Sequence, residues 1–199
     1  FLSGPPPQYL HPFPGETGER RPFQLQFSVL RRRHCLEFGF ALEAEDLSAF
    51  KSLLIPDCLE PAFRRRRDEL WQHTCLEFFV GVADQTSYLE VNLSPSGDWN
   101  VYSFENYRAG MKPHPEARVN LSAFERLEDA KTLKWSASLS GENGKTLNEL
   151  FGVNVPYCPL VLGATAVLEY TTGVKEYWAL KHAGDKPDFH LRESFVLAL

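Results

Sequence analysis

The sequence predicts an all-β fold, an antiparallel β-sandwich with one or two short helical turns. Apolar residues recur at every second position in one segment after another. Clusters of Gly, Pro, Asn and Ser separate those segments, and no regular helix period is sustained between them. Half-buried strands joined by short turns produce this pattern, and such strands bury their apolar sides by packing sheet on sheet.

The first twenty residues, FLSGPPPQYLHPFPGETGER, hold five prolines and read as an extended arm without regular structure. Residues 21–199 read as one β-sandwich domain, a length that all-β chains often reach as a single unit. Phe23, Leu25, Phe27 and Val29 alternate with polar residues, and Leu36, Phe38, Phe40 and Leu42 repeat the pattern. Asp46 to Leu54 suggests a helical turn. Leu76, Phe78, Val80 and Val82 resume the alternation, followed by Leu89, Val91 and Leu93.

A turn at Pro95-Ser96-Gly97 leads into DWNVYSFENY. In KTLKWSASLS, Leu133, Trp135, Ala137 and Leu139 share a face, which makes Trp135 a core residue; Trp99 and Trp178, in register with Val101 and Leu180, also read as structural. Asn143-Gly144 marks a turn before a second helical segment, Lys145 to Phe151. LVLGATAVLEY, VKEYWAL and SFVLAL complete about nine strands.

The net charge of -5 argues against nucleic acid or an anionic membrane surface as partner. Arg31 to Arg33 and Arg64 to Arg67 therefore read as solvated edges or loops beside strands rather than phosphate patches. No apolar run approaches the ~18 residues of a membrane span. The cysteines Cys35, Cys58, Cys75 and Cys158 are scattered without a C-x-x-C. They read as reduced thiols, which favours a cytoplasmic location, with a removed leader and the oligomeric state left open.

Alternation also assigns faces. With Leu76, Phe78 and Val80 toward the core, Trp71, His73, Cys75 and Glu77 point the other way, as do Tyr88, Glu90 and Asn92 of the next strand. A hairpin pairing Val82 with Ser87 sets Glu77 opposite Asn92 and Phe79 opposite Glu90. The joint surface of aromatic rings, carboxylates and an amide suits sugar recognition: rings cover pyranose faces while carboxylates and amides bond hydroxyls. The wet outer face of an antiparallel sheet gives the same pattern.

No catalytic residue is expected. Glu77 and Glu90 meet a glycosidase spacing only as neighbouring sheet carboxylates do. Cys75 and His73 at i, i+2 in a strand lie ~7 Å apart, too far for a thiolate pair.

Trp71, Glu77 and Phe79 form W-x5-E-x-F, followed by YLEVNLSPSGDW. This resembles the core of family 9 carbohydrate-binding modules and the related DOMON-like domains, found in bacterial and often cyanobacterial proteins. The resemblance runs through LVLGATAVLEY and the C-terminal YWALKHAGDKPDFHLRESFVLAL, so it spans roughly Phe23 to Leu199. It implies a β-sandwich and a non-catalytic site where two tryptophans sandwich a terminal sugar. Trp71 matches the first; the second position holds Phe189 and His190. The acidic residue that follows the first Trp in those modules is replaced by His73, Thr74 and Cys75, and a sugar-contacting Arg by Glu90.

The expected ligand is thus a saccharide or other small molecule, contacted by Trp71, His73, Glu77, Glu90, Asn92, Arg108, Phe189 and His190. Some DOMON-type relatives bind haem through a Met and a His or Lys. The single methionine, Met111, keeps a haem-binding electron-transfer domain as an alternative, and a structural or partner-binding sandwich is another. Asp185 and Asp188 are a weak pattern for calcium. The cofactor expectation is none.

Overall fold

A strand must pair its backbone N–H and C=O groups laterally, and alternation then turns its apolar side one way. In the computed structural model, which describes residues 6–14, 21–127, 131–152 and 158–199, twelve strands do so. They are β1 (Gln8–Pro12), β2 (Phe23–Arg31), β3 (Cys35–Ala44), β4 (Cys75–Val82), β5 (Tyr88–Leu93) and β6 (Trp99–Phe104). There follow β7 (Lys112–Pro113), β8 (Ala117–Arg126), β9 (Thr132–Gly141), β10 (Leu160–Glu169), β11 (Lys175–Ala179) and β12 (Leu197–Ala198).

The strands run antiparallel in the order β7-β6-β5-β4-β10-β11-β1-β2-β3-β9-β8, with β12 beside β10. The path doubles back at β1. Leu10 of β1 pairs with Leu25 of β2, while His11 pairs with Ala179 of β11. The two layers meet over a phenylalanine core, where Phe78 of β4 lies 4.8 Å from Phe38 of β3 and 6.0 Å from Phe27 of β2 between ring centroids. The fold is the antiparallel β-sandwich that alternation predicts.

Both helical turns form where expected. Asp46 caps a 3-10 turn over Leu47–Ser52 by accepting from the backbone N–H groups of Ser48 and Ala49. Thr146 and Glu149 make a capping box on the four-residue helix α1 (Leu147–Leu150). Trp135 and Trp178 are buried, each 2% exposed, as their register implied. Trp99 is half-buried beneath the guanidinium of Arg66, 4.6 Å from its ring centroid. Among the described residues no helix is long and apolar enough to cross a membrane.

Several expectations need correction. Part of the arm read as irregular, Gln8–Pro12, is the strand joining the layers; its prolines mask a pairing that only the tertiary fold makes available. β8 was not anticipated, although Ala117, Val119 and Leu121 alternate, because a register shift between Leu121 and Ala123 interrupts the period. Of SFVLAL only Leu197–Ala198 is strand, since Ser194 and Phe195 cross the outer face of β10.

The basic runs are not simply solvated either. Arg31 Nη1 donates to the carbonyls of Cys158 (2.6 Å) and Leu199 (3.3 Å). Arg64 donates to the carbonyls of Leu59 (2.8 Å) and Leu121 (2.6 Å), and Arg66 to that of Ala117 (2.7 Å). These side chains pin loops to strands.

The outer face of β4 is not wet. Every residue of Cys75–Val82 is buried, so the sheet is covered on both sides here. The second cover is the C-terminal segment around Phe189 to Phe195, the 3-10 turn Leu70–Gln72 and the loop after β6. Gly163 of β10 permits the close approach: a Cβ there would stand 2.8 Å from the carbonyl oxygen of Ser194.

Candidate functional site

The pairing of β4 with β5 puts Glu77 opposite Asn92 and Phe79 opposite Glu90, the register expected from the sequence. Glu77, Phe79 and Glu90 thereby share the outer face, which forms the floor of a cleft of ≈ 290 Å³. Trp71, Glu77, Glu90, Arg108, Phe189 and His190 all line it, so six of the eight expected residues converge.

Trp71 is placed by a turn rather than by a strand. Glu69 adopts a left-handed conformation (φ 62°) and starts the 3-10 turn Leu70–Gln72. The Trp71 ring then sits edge-on to Tyr102 at 5.4 Å, and the Tyr102 hydroxyl donates to Asp68 Oδ1 at 2.7 Å. The indole is therefore held by β6 and leaves one side to the cleft.

Asp188 ties down the opposite rim. Tyr107 donates its hydroxyl to Oδ2 (2.5 Å), while Oδ1 accepts from Arg108 Nη2 (3.0 Å) and the backbone N–H of His190 (3.1 Å). One carboxylate thus joins the loop after β6 to the segment carrying Phe189 and His190. Among the described residues no group of three or more His, Cys, Asp or Glu is arranged to hold a metal.

The floor is electrostatically unusual. Burial, and secondarily the neighbouring Glu90, pushes the Glu77 carboxyl well above the ordinary carboxylate range. Burial raises Glu90 to about 7. Asn92 Nδ2 donates to Glu90 Oε1 at 2.7 Å, and Thr165 Oγ1 donates to Glu77 Oε2 at 3.5 Å. Glu77 Oε1 has no hydrogen-bond partner among the described residues. His190 accepts or shares a proton with the Tyr88 hydroxyl at Nδ1 (2.8 Å), and burial lowers its pKa to about 4.

Two expected residues are elsewhere. His73 lies outside the cleft, exposed, with Nδ1 2.8 Å from Glu169 Oε2. Strand alternation was extended back from Glu77 to Trp71, but the strand begins only at Cys75, and the preceding turn breaks the two-residue period. Asn92 is fully buried and acts on Glu90 from beneath instead of lining the cleft. Cys75 is also buried, with its thiol raised well above its ordinary value by desolvation and then by Glu77 and Glu90, so it stays protonated.

Phe104, Tyr177, Val167 and Pro187 complete the lining and were not singled out. Tyr177 was findable, since it alternates against core Trp178; Phe104 needed the stacked contact with Tyr88 (4.8 Å, 6° between rings) that only pairing of β5 and β6 creates. Met111 lies at the exposed rim of the same cleft. Its histidine neighbour there, His190, has Nδ1 engaged by Tyr88 and Nε2 facing Glu90 at 3.8 Å.

The chain matches no protein-family model and no curated protein. Among solved structures it is similar to a candidate carbohydrate-binding protein from Bacteroides uniformis, with 13% identity, a TM-score of 0.61 and coverage of 96% of this chain and 84% of that one. Fainter likenesses are to a family 9 carbohydrate-binding module from Caldicellulosiruptor kristjanssonii, in complex with cellotriose (8% identity, TM-score 0.44, 82% and 68% coverage) and with glucose (10%, 0.38, 81% and 69%). The first likeness shows a shared β-sandwich fold.

Proposed function

We propose that this protein is a non-catalytic binding module whose cleft holds a saccharide, stacked on Trp71 with Phe189 on the other side. The kinship to DOMON-like domains belongs to the same proposal. One observation carries it: Glu77, whose buried carboxyl oxygen Oε1 has no hydrogen-bond partner among the described residues, lines an aromatic-walled cleft. An unmet buried polar group costs roughly 1–3 kcal/mol, which a ligand hydroxyl, able both to donate and to accept, removes on binding. Aromatic walls supply stacking surface for pyranose C–H faces, and Glu90, Arg108 and His190 offer further polar contacts.

The volume of ≈ 290 Å³ lies at the low end of small-molecule sites, generally ~300–1,000 Å³, which suits a short saccharide over a long chain. The described residues of the N-terminal arm, 6–14, do not line the cleft, which favours an open site over a face covered by the chain itself.

Calorimetric titration with a panel of mono- and disaccharides tests the reading. At least one sugar should bind the parent protein, and Trp71→Ala should weaken it about tenfold or more. Unchanged affinity in that variant for every sugar bound by the parent would remove the stacking role.

A further inference from the structure

The floor brings together two carboxyls that a neutral sugar would leave protonated and that a cationic ligand would ionise. Glu77 and Glu90 are 2% and 4% exposed, so two carboxyls meet beneath the aromatic walls almost out of water. Each has different support. Glu90 has Asn92 on Oε1 and the Nε2 of His190 at 3.8 Å from Oε2. Glu77 has Thr165 on Oε2, the Cys75 thiol of its own strand nearby, and nothing on Oε1.

No counter-cation is dedicated to this pair among the described residues. Arg108 lines the cleft and its charge favours the ionised form of Glu90 in part, but its Nη2 is bonded to Asp188 at 3.0 Å and burial still dominates at Glu90. His190 is held neutral by burial, and Tyr88 and Cys75 remain protonated because both titrate above their ordinary values. The cleft therefore combines an acidic floor, an unfilled acceptor and the rings of Trp71, Phe79 and Phe104. Aromatic faces attract cations, and a desolvated cation gains most from them.

Resting on the saccharide reading above, we infer that the cleft selects an amino sugar, whose protonated primary amine donates to Glu77 Oε1 and neutralises the carboxyl pair. The free oxygen decides between kinds of cation. A primary ammonium carries three N–H donors and fills the vacancy; a trimethylammonium group has none to give. An N-acetylated amine keeps one donor but loses the charge. Because the pair holds protons when the cleft is empty, arrival of an ammonium drives a carboxyl proton into solvent.

Titrate the full chain at slightly acidic pH with D-glucosamine, D-glucose, N-acetyl-D-glucosamine and choline chloride, each in two buffers of different ionisation enthalpy. Glucosamine should bind about tenfold or more tighter than the other three, with net proton release that the buffer pair reveals. Glu77→Gln should reduce that release to what Glu90 alone supplies and weaken glucosamine about tenfold; the release measured on the parent protein stands independently of whether the variant folds. If glucose or N-acetylglucosamine binds as tightly as glucosamine and Trp71→Ala weakens all of them, the amino-sugar inference falls while the saccharide reading stands. If choline matches glucosamine, the aromatic rings alone select the cation and the role of Glu77 is wrong. Silence of all three sugars overturns the amino-sugar inference, while the saccharide reading falls only if the wider panel of mono- and disaccharides is silent too.

Discussion

The Nε2 of His190 lies 3.8 Å from Glu90 Oε2, yet the two form no salt bridge near neutral pH, because burial moves them in opposite directions. Glu90 rises from 4.5 to about 7 and His190 falls from 6.5 to about 4. Linkage gives each a sign. Glu90 keeps its proton in the folded chain after the unfolded chain has lost it, so its contribution is complete below 4.5 and gone once the pH has risen through about 7. His190 contributes above 6.5 and loses that contribution as the pH falls through about 4. Glu77, also raised, acts with Glu90. His190, His114 and His182, all lowered by burial, offset part of this as the unfolded imidazoles lose their protons, so the loss of about 1 kcal/mol through Glu90 between about pH 6.5 and pH 8 is read as the difference between the parent and a variant without that carboxyl. Urea unfolding at both pH values checks this, and Glu90→Gln should remove that part of the slope; an equal slope in both proteins would refute it.

Trp71 and Phe79 line the same cleft but carry different loads. Trp71 is half-buried on a 3-10 turn, and its ring stands edge-on to Tyr102. Phe79 is 1% exposed and packs against Tyr88, Phe189, His190 and Phe195 at 5.0 to 6.4 Å. Phe79→Ala should cost about 3–5 kcal/mol of stability. Trp71→Ala should lower ligand affinity with a far smaller change in the melting temperature. Parallel melting curves and titrations separate the two; comparable destabilisation by both would mean that Trp71 is a packing residue.

The division between what alternation revealed and what it did not has a physical basis. The register of Glu77 with Asn92 was legible because period two and a hairpin fix each partner. The position of His73 was not, because the argument carried strand geometry into a 3-10 turn. The buried state of Glu77 and Glu90 was also hidden. Local pattern reports which face a residue occupies, whereas the cover on that face comes from Phe189 to Phe195, more than a hundred residues later in the chain than Glu77. The arginine run failed for the same reason: charge suggests solvent until a distant carbonyl is found for it.

Arg64 gives that correction a measurable form. Its Nη1 donates to the Leu121 carbonyl at 2.6 Å, beside the register shift in β8, and its Nε donates to the Leu59 carbonyl at 2.8 Å. Removing the guanidinium leaves both carbonyls without this donor. Arg64→Ala should therefore destabilise the protein by about 1–3 kcal/mol, and Arg64→Lys should recover only part, since an ammonium lacks the rigid fork. Chemical denaturation gives the values. A solvated edge predicts no change in either variant, so melting equal to the parent would restore that reading.

The junction at β1 makes the strongest claim about the whole sandwich. Gln8–Leu10 pairs with β2, and His11–Pro12 with β11, so this short strand alone links the two layers in the pairing order. Deleting residues 1–12 would strip the ladder from Leu25 to Phe27 on one side and from Trp178 and Ala179 on the other, and would uncover Leu10's place in the core. Two open edges are templates for pairing with another chain. The truncated protein should melt at a lower temperature and show more concentration-dependent association by light scattering than the full chain. Trp71 and the carboxyl pair lie away from β1, whereas Phe189 packs on His182, which is held by the His11 carbonyl, so residual ligand binding by the folded fraction should persist at lower affinity. A truncation that leaves stability and monodispersity unchanged would show that β1 is an ornament on an already closed sandwich.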